Sequence, residues 1–228
     1  MLMTAPLRPA RRVRSIFDRL YTTYGPQGWW PADTRFEIFV GAVLTQNAAW
    51  TNVEYALEHL RAADALNAAT TAAMAPTRLG ALIRPSGYYN IKARRLQALC
   101  RFIVDAGGVE VLAQRETDTL RADLLAVHGI GHETADDIVL YAFHRPVFVI
   151  DAYTRRIFSR LGMCAGREPY EDLRTGFERA LGPDVPVFQE YHALIVNHAK
   201  AACRKRQPAC AECCLRRMCP VGRGESTP

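Results

Sequence analysis

The chain has 228 residues, 49% hydrophobic and 23% charged, with a net charge of +6. This size and balance exclude a disordered chain and leave room for one large domain or two modest ones. The longest apolar run, 38–44, is far below the ~18 residues of a membrane span, and the start lacks a signal-peptide apolar stretch, so a soluble intracellular protein is expected. The positive charge suits a polyanion without selecting one.

Residues 1–10 are expected to be disordered, with Pro6 and Pro9 interrupting any pattern. Val13, Ile16, Phe17, Leu20, Tyr21 and Tyr24 then share one face of an amphipathic helix, ended by Gly25-Pro26-Gln27-Gly28. Trp29 and Trp30 follow in a loop. Adjacent tryptophans are costly to expose, and core packing is favoured over stacking on a bound ring. Phe36 to Leu44 is apolar all round, as in a central buried helix. Polarity returns at Thr45-Gln46-Asn47. Thr51-Asn52-Val53-Glu54 reads as a capping box opening a helix with Val53, Ala56, Leu57 and Leu60 inward. Short helices near 64–74 and 77–83 follow, closed by Pro85-Ser86-Gly87. A long helix then uses Ile91, Leu96, Leu99, Cys100 and Ile103, stopped by Gly107-Gly108.

Residues 117–127 form a further helix with Leu120, Leu124, Leu125 and Val127 on its apolar face. His128-Gly129-Ile130-Gly131 turns the chain into another helix, whose Ala135, Ile138, Val139 and Ala142 recur at helical spacing. Glycines admit positive φ and close backbone approach. With His132, Glu133 and Thr134 starting the second helix, its first N–H groups and positive dipole end form a phosphate-binding geometry. Glu133 there gains ~0.3–1 kcal/mol from the dipole alone. Val147 to Ile150 is a short apolar run delivering Asp151 to the start of a helix that stops at Gly162. As an N-cap, Asp151 is worth ~1 kcal/mol. A carboxylate about twenty residues after a phosphate-gripping hairpin also supports a chemical role. Helices near 168–181 and 186–202 follow, and Gly222 to Pro228 reads as a loose tail. No period-2 stretch persists, so the chain reads as all-α.

Of seven cysteines, five crowd the C-terminus. An odd total without a secretion signal argues against a disulfide framework. Cys203, Cys210, Cys213 and Cys219 fit C-x6-C-x2-C-x5-C, whereas Cys214 lies outside the pattern. The spacing alone allows zinc or a [4Fe–4S] cluster. Arg204, Lys205, Arg206, Arg216 and Arg217 lie in the same segment, either as a solvated loop or as a DNA-backbone contact.

GIGHETADDI followed by VIDAYTRR resembles the helix-hairpin-helix DNA glycosylase superfamily that contains endonuclease III. The resemblance covers roughly residues 13–220. It implies two lobes: a six-helix barrel lobe at 35–143 with the hairpin at about 117–143, and a second lobe joining 1–34 to 144–228. The hairpin residues His128, Gly129, Ile130, Gly131, His132 and Thr134 would grip DNA backbone, and Asp151 would be the essential carboxylate. The cysteine spacing after the last helix resembles the family's iron–sulfur loop. It implies a structural [4Fe–4S] cluster at 203–219, with Arg204 and Lys205 contacting DNA. Bifunctional members carry a nucleophilic lysine where this chain has Glu133. A carboxylate forms no Schiff base, so an enzyme that excises bases and leaves an abasic site is implied.

Trp29-Trp30, Gln46-Asn47, the segment Gly87 to Leu96 and Glu133 together resemble the 3-methyladenine glycosylase branch. Trp29 and Trp30 would line the base pocket, Lys200 would lie near it, and Gln46 or Asn47 would fill the gap left by the extruded base. The partner implied is duplex DNA with a damaged base, bound by a monomer in the cytoplasm. Two alternatives stay open: an oxidised-pyrimidine enzyme of the endonuclease III type with weak strand cleavage, and a non-catalytic lesion-binding module.

Overall fold

The structure is a computed structural model that describes residues 10–225, in which helices, turns and extended segments occur without a strand. In chain order the helices are α1 (Ala10–Tyr24), α2 (Arg35–Leu44), α3 (Trp50–Ala62), α4 (Ala68–Ala73), α5 (Pro76–Leu82), α6 (Tyr89–Asp105), α7 (Val109–Leu112), α8 (Thr117–Ala126), α9 (His132–Asp137), α10 (Ala152–Arg160), α11 (Tyr170–Leu181) and α12 (Val185–Ala201). The all-helical reading therefore holds. The expected disorder at 1–10 falls, but for Ala10, outside the described residues. No helix among the described residues is long and apolar enough to cross a membrane.

The chain divides into two compact units. One runs from Trp30 to Arg145, and the other joins the chain up to Trp29 to the chain from Pro146 onward.

In the 30–145 unit, α2 is the buried centre. Thr34 caps it by accepting from the Glu37 amide at 3.2 Å, and residues 37–44 are all buried. It packs on α3, α6 and α9. The expected capping box does not form. Helix α3 begins at Trp50, one residue before Thr51, so Thr51 falls inside the first turn, and Glu54 accepts from the Trp50 indole N–H at 2.9 Å instead. Helix α6 also departs from expectation. Ile91 is half-exposed, while Lys92 beside it is buried. Lys92 can turn inward because its ammonium donates to two carbonyls, Leu44 at 2.8 Å and Ser86 at 2.7 Å. The α8–α9 hairpin is tied by Arg121, which bonds both oxygens of buried Asp136, one at 3.1 Å. Helix α9 continues into a π turn at 138–142, buried throughout.

In the other unit, an aromatic cluster forms the core. Phe148 stacks on Phe177 with centroids 4.4 Å apart, and Phe158, Phe188 and Tyr191 pack edge-on around them. The Tyr191 hydroxyl donates to the Val13 carbonyl at 2.8 Å, fixing α1 against α12. The segment Val147 to Ile150 is buried and extended, leading straight into α10. The expected loose tail is only partly so. Gly222 is buried, Val221–Arg223 forms a 3-10 turn, and the Glu225 amide donates to Pro220 at 2.9 Å; residues 226–228 lie outside the described ones.

Candidate functional site

Asp151 sits at the N-cap of α10 and is 6% exposed. Its two carboxylate oxygens have different surroundings. Oδ1 accepts from the Thr154 amide at 2.6 Å and from the Thr154 hydroxyl at 2.7 Å. Oδ2 lies 3.7 Å from His192 Nε2, on α12. Burial alone would raise the carboxyl pKa. The neighbouring His192 and the two Thr154 donors outweigh it and hold the group below its ordinary value. The positive end of α10 acts in the same direction. Asp151 is thus a fixed anion, with one oxygen closing a helix and the other facing an imidazole. The N-cap reading of this residue holds.

The hairpin lies in the 30–145 unit. Gly129 has φ +84°, which glycine accepts readily. Ile130 and Thr134 are buried, whereas His128, Gly131, His132 and Glu133 are exposed. Glu133 stands in the first turn of α9. Gln46, expected in a substrate pocket, is bonded to the hairpin, its amide donating to Thr134 Oγ1 at 2.9 Å and to the Gly129 carbonyl at 3.3 Å. Asn47 is exposed, with φ +52°.

Trp30 is half-buried on α2. A Cβ at Gly41 would lie 3.0 Å from the indole, so the small residue there leaves room for the ring against the helix. Trp30 packs edge-on to Trp50, 5.3 Å between centroids, and 5.2 Å from Tyr141. Trp30 and Trp50 line an open groove of about 740 Å³ together with Tyr55, Asp33, Glu54 and Glu58. Arg61 and Glu37 also line it; Arg61 pairs with Glu37 at 3.2 Å and with Asp33 at 3.6 Å, which leaves Glu58 and Glu54, the latter bonded to the Trp50 indole, as its other carboxylates. Trp50 was not among the residues expected here. Its signal in the sequence is a third tryptophan in the polar turn between two buried helices. Trp29 is half-buried, in the other unit, and Lys200 is exposed in the last turn of α12.

The cysteine loop is organised by α10 and α12. Cys203, Cys210, Cys213 and Cys219 line one small cavity with Ile157, Leu215 and other apolar groups. Arg160, at the end of the helix that Asp151 begins, donates to Cys203 Sγ at 3.3 Å and to the Arg204 and Lys205 carbonyls at 2.8 and 3.1 Å. Arg156 donates to the Cys203 carbonyl at 2.9 Å. The Gly222 amide donates to Cys219 Sγ at 3.4 Å, and Cys213 Sγ lies 3.6 Å from His198. All seven cysteines are free of disulfides. No three His, Cys, Asp or Glu among the described residues converge closely enough to hold a single metal ion. Four thiols around one small cavity, with N–H groups donating to two of the sulfurs, form a donor set of the kind that zinc or an iron–sulfur cluster takes. Arg204, Lys205, Arg206, Arg216 and Arg217 are exposed on this loop.

Comparison with known proteins agrees with this geometry. The profile of the HhH-GPD superfamily base excision DNA repair protein matches residues 40–183. A Methanocaldococcus jannaschii protein that bears a DNA repair glycosylase name is 45% identical over 210 residues, covering 91% of this chain and 95% of that protein. Endonuclease III of Treponema pallidum is 29% identical, covering 93% and 97%. Among solved structures, the H. pylori 3-methyladenine DNA glycosylase bound to 1,N6-ethenoadenine is similar with a TM-score of 0.71 and 32% identity, covering 84% of this chain and 95% of that one. A non-covalent endonuclease III–DNA complex gives 0.81 at 22% identity, covering 94% and 97%, a likeness of fold. The chain belongs to the endonuclease III-like helix-hairpin-helix glycosylase superfamily of base excision DNA repair proteins.

Proposed function

We propose that this protein is a monofunctional DNA glycosylase that hydrolyses the N-glycosidic bond of alkylated bases, 3-methyladenine among them, in duplex DNA. The observation that carries the reading is the split environment of Asp151. One oxygen is fixed by Thr154, the other lies beside His192, and the carboxylate as a whole stays charged at neutral pH.

A base inside a duplex is out of reach, so the target nucleotide must be extruded. The hairpin would hold the backbone, and Gln46 or Asn47 would lie nearest the vacated stack. Adenine alkylated at N3 is cationic and departs without acid help. The Trp30 and Trp50 faces, with Glu54 and Glu58 at the rim, supply attraction to such a ring. As the glycosidic bond breaks, the sugar gains positive charge, which the anion at Asp151 stabilises. The same carboxylate can take a proton from the attacking water. Glu133 offers no amine for a Schiff base, so strand cleavage by that route is absent. Likeness to the H. pylori enzyme supports the alkylated-base assignment.

The four cysteines are proposed to hold a [4Fe–4S] cluster. Bound there, it supplies a fixed charge and ties down the loop bearing Arg204 and Lys205. Arg156 and Arg160 hold that loop from α10, and none of the steps above passes through it.

The test is a panel of lesion-bearing duplexes incubated with the protein, with and without alkali. Release of 3-methyladenine with strand breaks only after alkali supports the reading. Preferential release of oxidised pyrimidines, with a borohydride-trapped adduct on abasic DNA, supports the endonuclease III type instead.

A further inference from the structure

We infer that Arg95 is a positioning residue: a strut that fixes the Gln46–Asn47 turn against the hairpin, so that exposed Asn47 meets DNA in a set orientation. The inference rests on the base-extruding reading above.

Arg95 lies on α6, in the same unit as the hairpin. Its Nη1 donates to Gln46 Oε1 at 2.6 Å. Gln46 in turn donates to Thr134 Oγ1 and to the Gly129 carbonyl, at 2.9 and 3.3 Å. One amide therefore joins the arginine to the turn of the hairpin and to its second helix, and its acceptor oxygen takes the stronger, charge-assisted bond. The stem of Arg95 crosses the turn closely. A Cβ added at Gly129 would fall 2.2 Å from Arg95 Cγ and 2.7 Å from Cδ. Glycine at 129 thus serves the positive φ and also makes room for the strut.

Lys92 stands three residues earlier on the same face of α6. It holds the carbonyl of Leu44, the last residue of α2, at 2.8 Å. Two cations of one helix therefore grip successive points of one segment: Lys92 the end of α2, Arg95 the turn beyond it. What stays ungripped is Asn47, exposed and in the left-handed region. A side chain that fills a gap in a base stack acts only when its backbone is held at a fixed place. Misplacement by about 1 Å can lower a rate about 100-fold.

The test is a double-mutant cycle of Arg95→Ala and Gln46→Ala, with Arg95→Gln as a milder variant should alanine loosen the fold. Two quantities are read: base extrusion, by 2-aminopurine fluorescence beside the lesion, and affinity for undamaged duplex at two salt concentrations. Each single substitution is expected to slow extrusion about 10- to 100-fold. The double variant is expected to be no slower than the worse single within about two-fold, as for residues acting as one unit. In Arg95→Ala, affinity for undamaged duplex and its salt slope stay unchanged. Additive losses would overturn the strut. So would weaker binding of undamaged duplex by Arg95→Ala with a salt slope reduced by about one, the mark of a phosphate contact. If the wild-type protein extrudes no base, the base-extruding reading falls and the strut with it. If it extrudes and the losses add, the strut alone falls.

Discussion

Oδ2 of Asp151 lies 3.7 Å from Nε2 of His192, while Oδ1 is engaged by Thr154. Oδ1 thus closes the helix, and the proposed function assigns the chemical work to Oδ2. An asparagine side chain caps a helix about as well as an aspartate does, so Asp151→Asn is expected to change stability by less than about 1 kcal/mol. Base release should fall by at least about 100-fold, since the amide carries no negative charge and is no base. Thermal unfolding and single-turnover release, measured on the same preparation, separate the two effects.

The same contact sets a pH dependence. The folded carboxyl titrates below its ordinary 3.8. Its stabilising contribution is therefore complete above the unfolded value and is lost as pH falls through the lower folded value. His192→Asn removes one of the influences that hold the carboxyl down. The acid limb of base release should then move to higher pH, with the rate at neutral pH little altered. Single-turnover rates measured from acid to neutral pH for both proteins read this shift directly.

Lys92 gives the same sign in a more alkaline window. Burial, then the charge of Arg95, lowers its amine from 10.5 to about 8. Between those values the unfolded chain binds more protons, so the stability of the wild type rises with pH relative to Lys92→Met. At neutral pH the methionine variant should lose ~2–3 kcal/mol, because the carbonyls of Leu44 and Ser86 are left without the ammonium. Denaturant unfolding at pH 7 and pH 10 checks both statements.

Arg160 links the far end of α10 to the cysteine loop through Cys203 and the carbonyls of residues 204 and 205. Arg160→Gln should loosen that loop by ~1–3 kcal/mol, seen as faster amide exchange over 203–219. If the loop holds its proposed cluster, the purified protein contains iron and sulfide in equal amounts, and the variant loses iron to a chelator sooner.

The parts of the site that were legible in the sequence are the local ones. The glycines at 129 and 131 and the carboxylate at 151 announce themselves by spacing within a few turns of chain. The buried run 37–44 reads equally well, since burial on every side leaves no polar face. What escaped depends on contacts between distant segments. Trp50 becomes part of the aromatic groove only through Trp30, twenty residues away. Lys92 takes an inward place that periodicity gives to Ile91, because two carbonyls from elsewhere satisfy its charge. The capping box at 51–54 failed for a local reason: the helix starts at Trp50, two residues before the start that a Thr51 cap would set, and the indole of Trp50 claims Glu54. Nothing in the spacing of Gln46 marks it as bonded to the hairpin.

The most direct test of the account is single-turnover incubation of duplex DNA carrying one 3-methyladenine with wild type and with Asp151→Asn, borohydride being present throughout. The account predicts free 3-methyladenine and an alkali-labile, uncut strand from the wild type, no covalent adduct, and loss of release in the variant. Equal release by both proteins, or a trapped protein–DNA adduct, would contradict it.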